Sequence, residues 1–222
     1  NIVDMIVVGQ YIGGAGMSAV SIGGDVLHLL TFVAMGFSSA GQVLVAQDVG
    51  AGNMEGVRRI IGTMFTFLLG FAVVLGSICL LFRQGILGLM NTPEAAWQEA
   101  LNYSTVCILG LVFIYGYNMC SAVLRGMGDS KHPMMFIAIS ASMNVVLDLL
   151  FVGPLKMGCF GAALATVIAQ TSAFVVSVVF LYRNRVSFGF DFKPKSFAID
   201  KRYTKMIASL GTPMAVQSGF IN

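Results

Sequence analysis

Asn144 and Asp148 stand four residues apart in "SMNVVLDLLFVG" (142–153), inside a long apolar run. Four residues is about one helical turn, so amide and carboxylate share a face, and Ser140 extends the stripe by a further turn. A charge at the centre of a membrane helix costs roughly 2.5–3.5 kcal/mol on insertion scales, so a chain keeps one only where it is paired, hydrated or useful. Asp4 lies in the opening apolar segment "NIVDMIVVG", three residues after Asn1. Thr166 and Gln170 mark a polar stripe on the run 158–182, Asn118 and Ser121 one on 102–124, and His28, Thr31, Ser38 and Gln42 one on 25–47. Lipid offers such groups no partner, so the stripes are expected to face one interior. Two carboxylates, an amide and a hydroxyl supply hard oxygen ligands for Na⁺, or a carrier for a proton. The competing reading is interhelical hydrogen-bond glue, worth about 0.6 kcal/mol per contact. Glue is the better reading for Asn118, Ser121, Ser38 and Gln42. It is the worse one for Asp148, because ionisable groups inside spans are functional by default. Asp25 and Asp48 read as caps or interface charges at helix ends, and a lone His28 reads as a satisfied core histidine.

The elements that must position these groups are membrane helices. The chain is 57% hydrophobic and only 10% charged, with a mean hydropathy of +0.85. A soluble domain carries about 25% charged residues, and none of this size could hide so much apolar surface from water. Twenty-six glycines fit close helix packing in a bilayer. A span needs roughly 20 apolar residues. Five full spans are expected at about 25–47, 60–82, 102–124, 133–153 and 158–182. Residues 1–11 read as the last half of another helix and 204–222 as the first half of one more, so a longer protein is expected, with residues beyond both ends.

Loop charge orients the spans. Arg58, Arg59, Arg125, Lys131, Arg183, Arg185, Lys193, Lys195, Lys201, Arg202 and Lys205 fall on one side, and only Arg83 and Lys156 on the other. The basic side, with loops 50–59, 125–132 and 183–203, is therefore assigned to the cytoplasm. Residues 183–203 read as a cytoplasmic linker whose charges are solvated near anionic lipid. Cys79, Cys107, Cys120 and Cys159 show no metal-ligand spacing and read as small core residues. "GMGDS" (126–130) follows no strand and is no phosphate loop, whereas "GAGN" (50–53) is a glycine helix stop. No nucleophile–base pair stands out, so no enzyme is expected.

"NIVDMIVVG" (1–9), "AQDVGAGNMEGVRR" (46–59), "RGMGDSKHP" (125–133), "NVVLD" (144–148) and "GAALATVIAQ" (161–170) occur in this order. The ordered set resembles the MATE family, the multidrug and toxic compound extrusion transporters, over essentially the whole chain. The resemblance implies an all-α integral membrane protein, a six-helix lobe of a twelve-helix, two-lobed transporter. Residues 1–182 would be first-lobe helices with helix 1 truncated, 183–203 the inter-lobe linker, and 204–222 the truncated helix 7 that starts the second lobe. A cation site is implied at Asp4, Asn144, Asp148 and Thr166, where Na⁺ or H⁺ would bind. Asn1, Gln170, Asn118, Gln42 and Ser140 are candidate pathway or supporting residues. The implied activity is cation-coupled antiport that exports drugs or organic cations by alternating access, in a bacterial inner (plasma) membrane. The implied partners are a small-molecule substrate, the lipid bilayer and the second lobe of the same chain. No cofactor beyond the coupling ion and no nucleic-acid partner is expected. The alternatives are a flippase for a lipid-linked or polysaccharide precursor, which should carry a strongly cationic cavity, and a helical membrane module that transports nothing.

Overall fold

The computed structural model describes residues 2–186 and 188–221. Asn1 lies outside them. The described chain is helical throughout: α1 (Ile2–Ile12), α2 (Gly14–Gly50), α3 (Met54–Leu89), α4 (Trp97–Leu109), α5 (Leu111–Gly126), α6 (Lys131–Val152), α7 (Gly158–Arg183) and α8 (Lys201–Ile221). Short 3₁₀ turns at Glu94–Ala96 and Pro194–Phe197 sit in the connections. Four helices are long and apolar enough to cross a bilayer, and α4 with α5 makes a fifth span bent by 45° at Gly110.

The α2 helix runs 37 residues, so at 1.5 Å per residue it exceeds the roughly 30 Å hydrocarbon core. Its first turns, "GAGMSAVSIGG", lie before the expected span at 25–47. Glycine lowers helix propensity by about 1 kcal/mol per residue. Here packing outweighs that cost. Any Cβ on Gly23 would press on the Tyr103 ring, and one on Gly16 would press on Val8 and Ile12, so the bare backbone lets α4 and α1 approach. Asp25 consequently lies within α2 and exposed rather than at a helix end. Asp48, one turn from the end of α2, does act at a terminus: it accepts from Asn53 Nδ2 at 3.3 Å and from Tyr203 Oη at 2.8 Å. The turn between α2 and α3 follows the glycine stop, with Gly52 at φ 69° and Asn53 capping α3 by accepting from the Gly56 N–H at 3.0 Å.

The three basic loops meet at one end of the bundle. Arg125 Nε donates to Gln42 Oε1 at 2.9 Å, Arg58 Nε to the Gly189 carbonyl at 3.0 Å, and the His132 and Phe180 rings lie 4.3 Å apart. This convergence puts the three loops on one side of the bundle, as the alternation of the spans requires. The linker between α7 and α8 is not merely a solvated charge run. Phe190 is buried, and Phe190, Phe192 and Phe197 all pack their rings on Phe65 of α3. Thr66 Oγ1 donates to the Phe197 carbonyl at 2.6 Å, and Thr63 Oγ1 accepts from the Asp200 N–H at 3.1 Å. Gly62 lies directly beneath the Ser196 carbonyl, where any side chain would collide. Beyond the linker, α8 lies along α2. All four cysteines are free and buried.

Candidate cation site

Asp4 occupies the face of α1 that also carries the buried Val7 and Val8, at helical spacing, and is itself fully buried. On α6 the stripe Pro133, Phe136, Ser140 and Asp148 is buried, Asn144 is half-buried, and Met134, Ile139 and Val146 are exposed. On α7, Thr166 lies among buried Ala162, Ala163, Ala165 and Ala169, small residues that let helices pack closely.

These helices bring the four sequence-assigned ligands together. Asn144 Nδ2 donates to Thr166 Oγ1 at 3.4 Å, and Thr166 Oγ1 donates to Asp4 Oδ2 at 3.2 Å. Asp148 is fully buried, and no amide, hydroxyl or backbone N–H among the described residues donates to its carboxyl oxygens, which lie against the Asp4 carboxyl. Its near charged neighbour is Asp4. Two carboxyl groups side by side and away from water need a shared proton or a bound cation between them. The donor set is oxygen-only and suits Na⁺ or a proton.

Tyr103 of α4 is a further member that the sequence does not flag. It is fully buried, with Asp4 and Asp148 within electrostatic range of its hydroxyl and Cys107 beside it. A tyrosine six residues into a bent span reads as one of the aromatics common at membrane interfaces. Only the fold turns it onto the carboxyl pair.

Thr166 also lines a cavity of about 260 Å³, together with Leu27, His28 and Thr31 of α2, Tyr117 and Asn118 of α5, and Gln170. Gln170 and Asn118 thus belong to the cavity wall rather than to the ligand cluster. Asn118 bonds its own helix through the Ile114 carbonyl at 2.9 Å. His28 is exposed to this space rather than buried in a core. Two supporting assignments move elsewhere. Ser140 donates to the Ala169 carbonyl at 2.6 Å and ties α6 to α7. Gln42 is bound to Arg125 at the basic end, because sharing a helix face says nothing about depth along the helix.

Known proteins match this chain over nearly its full length. It is 32% identical over 220 residues to the probable multidrug resistance protein YoeA of Bacillus subtilis, a match covering 97% of this chain and 48% of that protein. It is 30% identical over 217 residues to the probable multidrug resistance protein YpnP of the same organism, with 97% and 47% covered. A solved inward-facing multidrug resistance MATE family transporter of the MOP superfamily superposes with a TM-score of 0.91 at 22% identity, covering 98% of this chain and 49% of that one. An outward-facing conformation of such a transporter gives 0.90 at 24% identity, with 98% and 48% covered. The chain spans about half the length of the proteins it matches. The MatE family model matches residues 1–150, and the chain belongs to that family of multi-pass membrane proteins.

Proposed function

We propose that the protein is a cation-coupled exporter of drugs or organic cations that works by alternating access, with Na⁺ or H⁺ as the coupling ion. The observation that carries this reading is the buried carboxyl pair: Asp148, to which no N–H or hydroxyl among the described residues donates, lies against Asp4, which Thr166 links to the cavity wall. Asp148 takes up the ion. Asp4 transmits its arrival to α1, and Asn144 and Thr166 orient the two carboxyl groups. Thr166 touches both the cluster and the cavity, so an ion on one side alters the wall that a substrate meets on the other. A ligand shifts an equilibrium between two states only by its differential affinity for them, and a shared wall provides such a difference.

The likeness to both inward-facing and outward-facing solved chains supports a lobe that moves as a unit. The likeness to probable multidrug resistance proteins supports drugs as substrates. A flippase for a lipid-linked or polysaccharide precursor finds no support, because no Lys or Arg is among the described residues lining this cavity.

The test uses the full-length protein in proteoliposomes loaded with a fluorescent organic cation, with Na⁺ and H⁺ gradients imposed separately. Export driven by one gradient and lost in Asp148→Asn supports the reading and names the ion. Unchanged export in that variant refutes it.

A further inference from the structure

The residues that anchor the linker also build a second cavity, of about 350 Å³, at the basic end of the bundle. Arg58 and Arg59 of α3 line it from one side, and Lys193, Lys195, Asp191 and Ser196 of the linker from the other. Four cationic groups thus face one carboxylate. That carboxylate is engaged: Asp191 accepts from the Ser196 hydroxyl and sits 3.6 Å from Lys193 Nζ. Arg59 leans the other way, toward Glu55 at 2.5 Å and Asp200 at 3.7 Å. Arg58 is held by its Nε bond to the Gly189 carbonyl, which leaves the two terminal nitrogens of the fork for an acceptor. Lys195 makes no ion pair among the described residues.

A neighbouring cavity lined by Glu55, Arg59, Asp200 and Arg202 balances two acids against two bases. The Arg58–Lys195 cavity does not balance. Its cations come from two segments that side-chain hydrogen bonds and ring packing hold together, so the excess charge is built in rather than scattered on flexible loops. The apolar stretch of α3 begins at Ile60, directly after Arg59, which sets the cavity at the level of lipid headgroups.

We infer that this cavity binds a phosphate group, supplied by the headgroup of an anionic phospholipid in the adjoining leaflet. A guanidinium fork pairs with two phosphate oxygens at once, and the lysines add point charge. The bound phosphate would bridge α3 to the linker.

The experiment is native mass spectrometry of the full-length protein in detergent, with phosphatidylglycerol, phosphatidylcholine or inorganic phosphate added at matched concentrations. Wild type retains one phosphatidylglycerol in preference to phosphatidylcholine. K193Q/K195Q, which spares the Arg58 anchor, weakens retention roughly 30-fold, from the usual worth of two basic groups at a membrane surface. K131Q/R183Q removes equal charge from the same end outside the cavity and retains lipid close to the wild-type level. Limited proteolysis of the linker checks that it stays docked in both. Binding of inorganic phosphate that K193Q/K195Q abolishes, without preference for phosphatidylglycerol, upholds the phosphate site but makes its ligand soluble. Equal losses in the two double variants, or no binding of either anion, overturn the inference.

Discussion

The carboxyl cluster of α1, α6 and α7 and the basic cavity under the linker use charge in opposite ways. The cluster holds two acids against each other and away from water. The linker cavity holds four bases at the surface, each partly solvated. A buried charge is costly to hold and strongly felt when removed, whereas an exposed ion pair is worth about 0–1 kcal/mol. Few residues should therefore dominate the first region, and many should share the effect in the second.

The sharpest way to break this contrast is Asp148→Asn. Export should fall to the level of empty liposomes, while thermal stability stays equal to wild type or rises, because a neutral amide relieves a buried carboxyl that nothing donates to. A large loss of stability would mean that Asp148 holds the bundle together instead. Next comes Thr166→Val, which keeps the shape but removes the hydroxyl between Asn144 and Asp4. Apparent ion affinity should weaken roughly 10–100-fold, as for other groups that orient ligands, read as the gradient needed for half-maximal export.

In the linker, Gly62→Leu forces the Ser196 carbonyl away from α3. It should cost about 1–3 kcal/mol, the usual range for overpacking, and speed cleavage of the linker by added protease. Ion dependence should not change. The smallest effect is acid loosening of the same segment. The Ser196 hydroxyl, the Lys193 N–H and the nearby cations hold the Asp191 carboxyl below its ordinary value. A depressed carboxyl adds stability that is complete above the ordinary value near about 3.9 and is lost as pH falls through the lowered one. Linker cleavage followed against pH should rise only in that acid window, and Ser196→Ala should move the rise to higher pH.

The four residues of the candidate site stand out in the sequence because a polar residue in an apolar run is expensive wherever it points. Asp4 and Asp148 stand out on composition alone, and the ordered motifs add Asn144 and Thr166. What stayed hidden depends on depth and partner. Gln42 shares a stripe with His28 and Thr31, yet it pairs with Arg125 at the basic end. Ser140 continues the stripe of Asp148 but spends its hydroxyl on α7. Tyr103 gave no signal, since nothing local distinguishes it from an interface aromatic. The fold was legible as five spans flanked by two further helices. The early turns of α2 were obscured because glycines that admit a neighbouring helix resemble glycines of a loop. In the linker, Phe188, Phe190 and Phe192 alternate along the chain, a pattern that the surrounding lysines and arginines mask.

The burial of every thiol has a practical consequence. Cys79, Cys107, Cys120 and Cys159 are all shut inside the bundle, so a bulky, membrane-impermeant maleimide meets no native reactive sulfur in this chain. A reporter cysteine at Val186, which is 89% exposed at the basic end, or at Leu89, which is 86% exposed at the other, would be labelled on an otherwise silent background. Intact cells treated with such a dye would then reveal which end of the bundle faces outward.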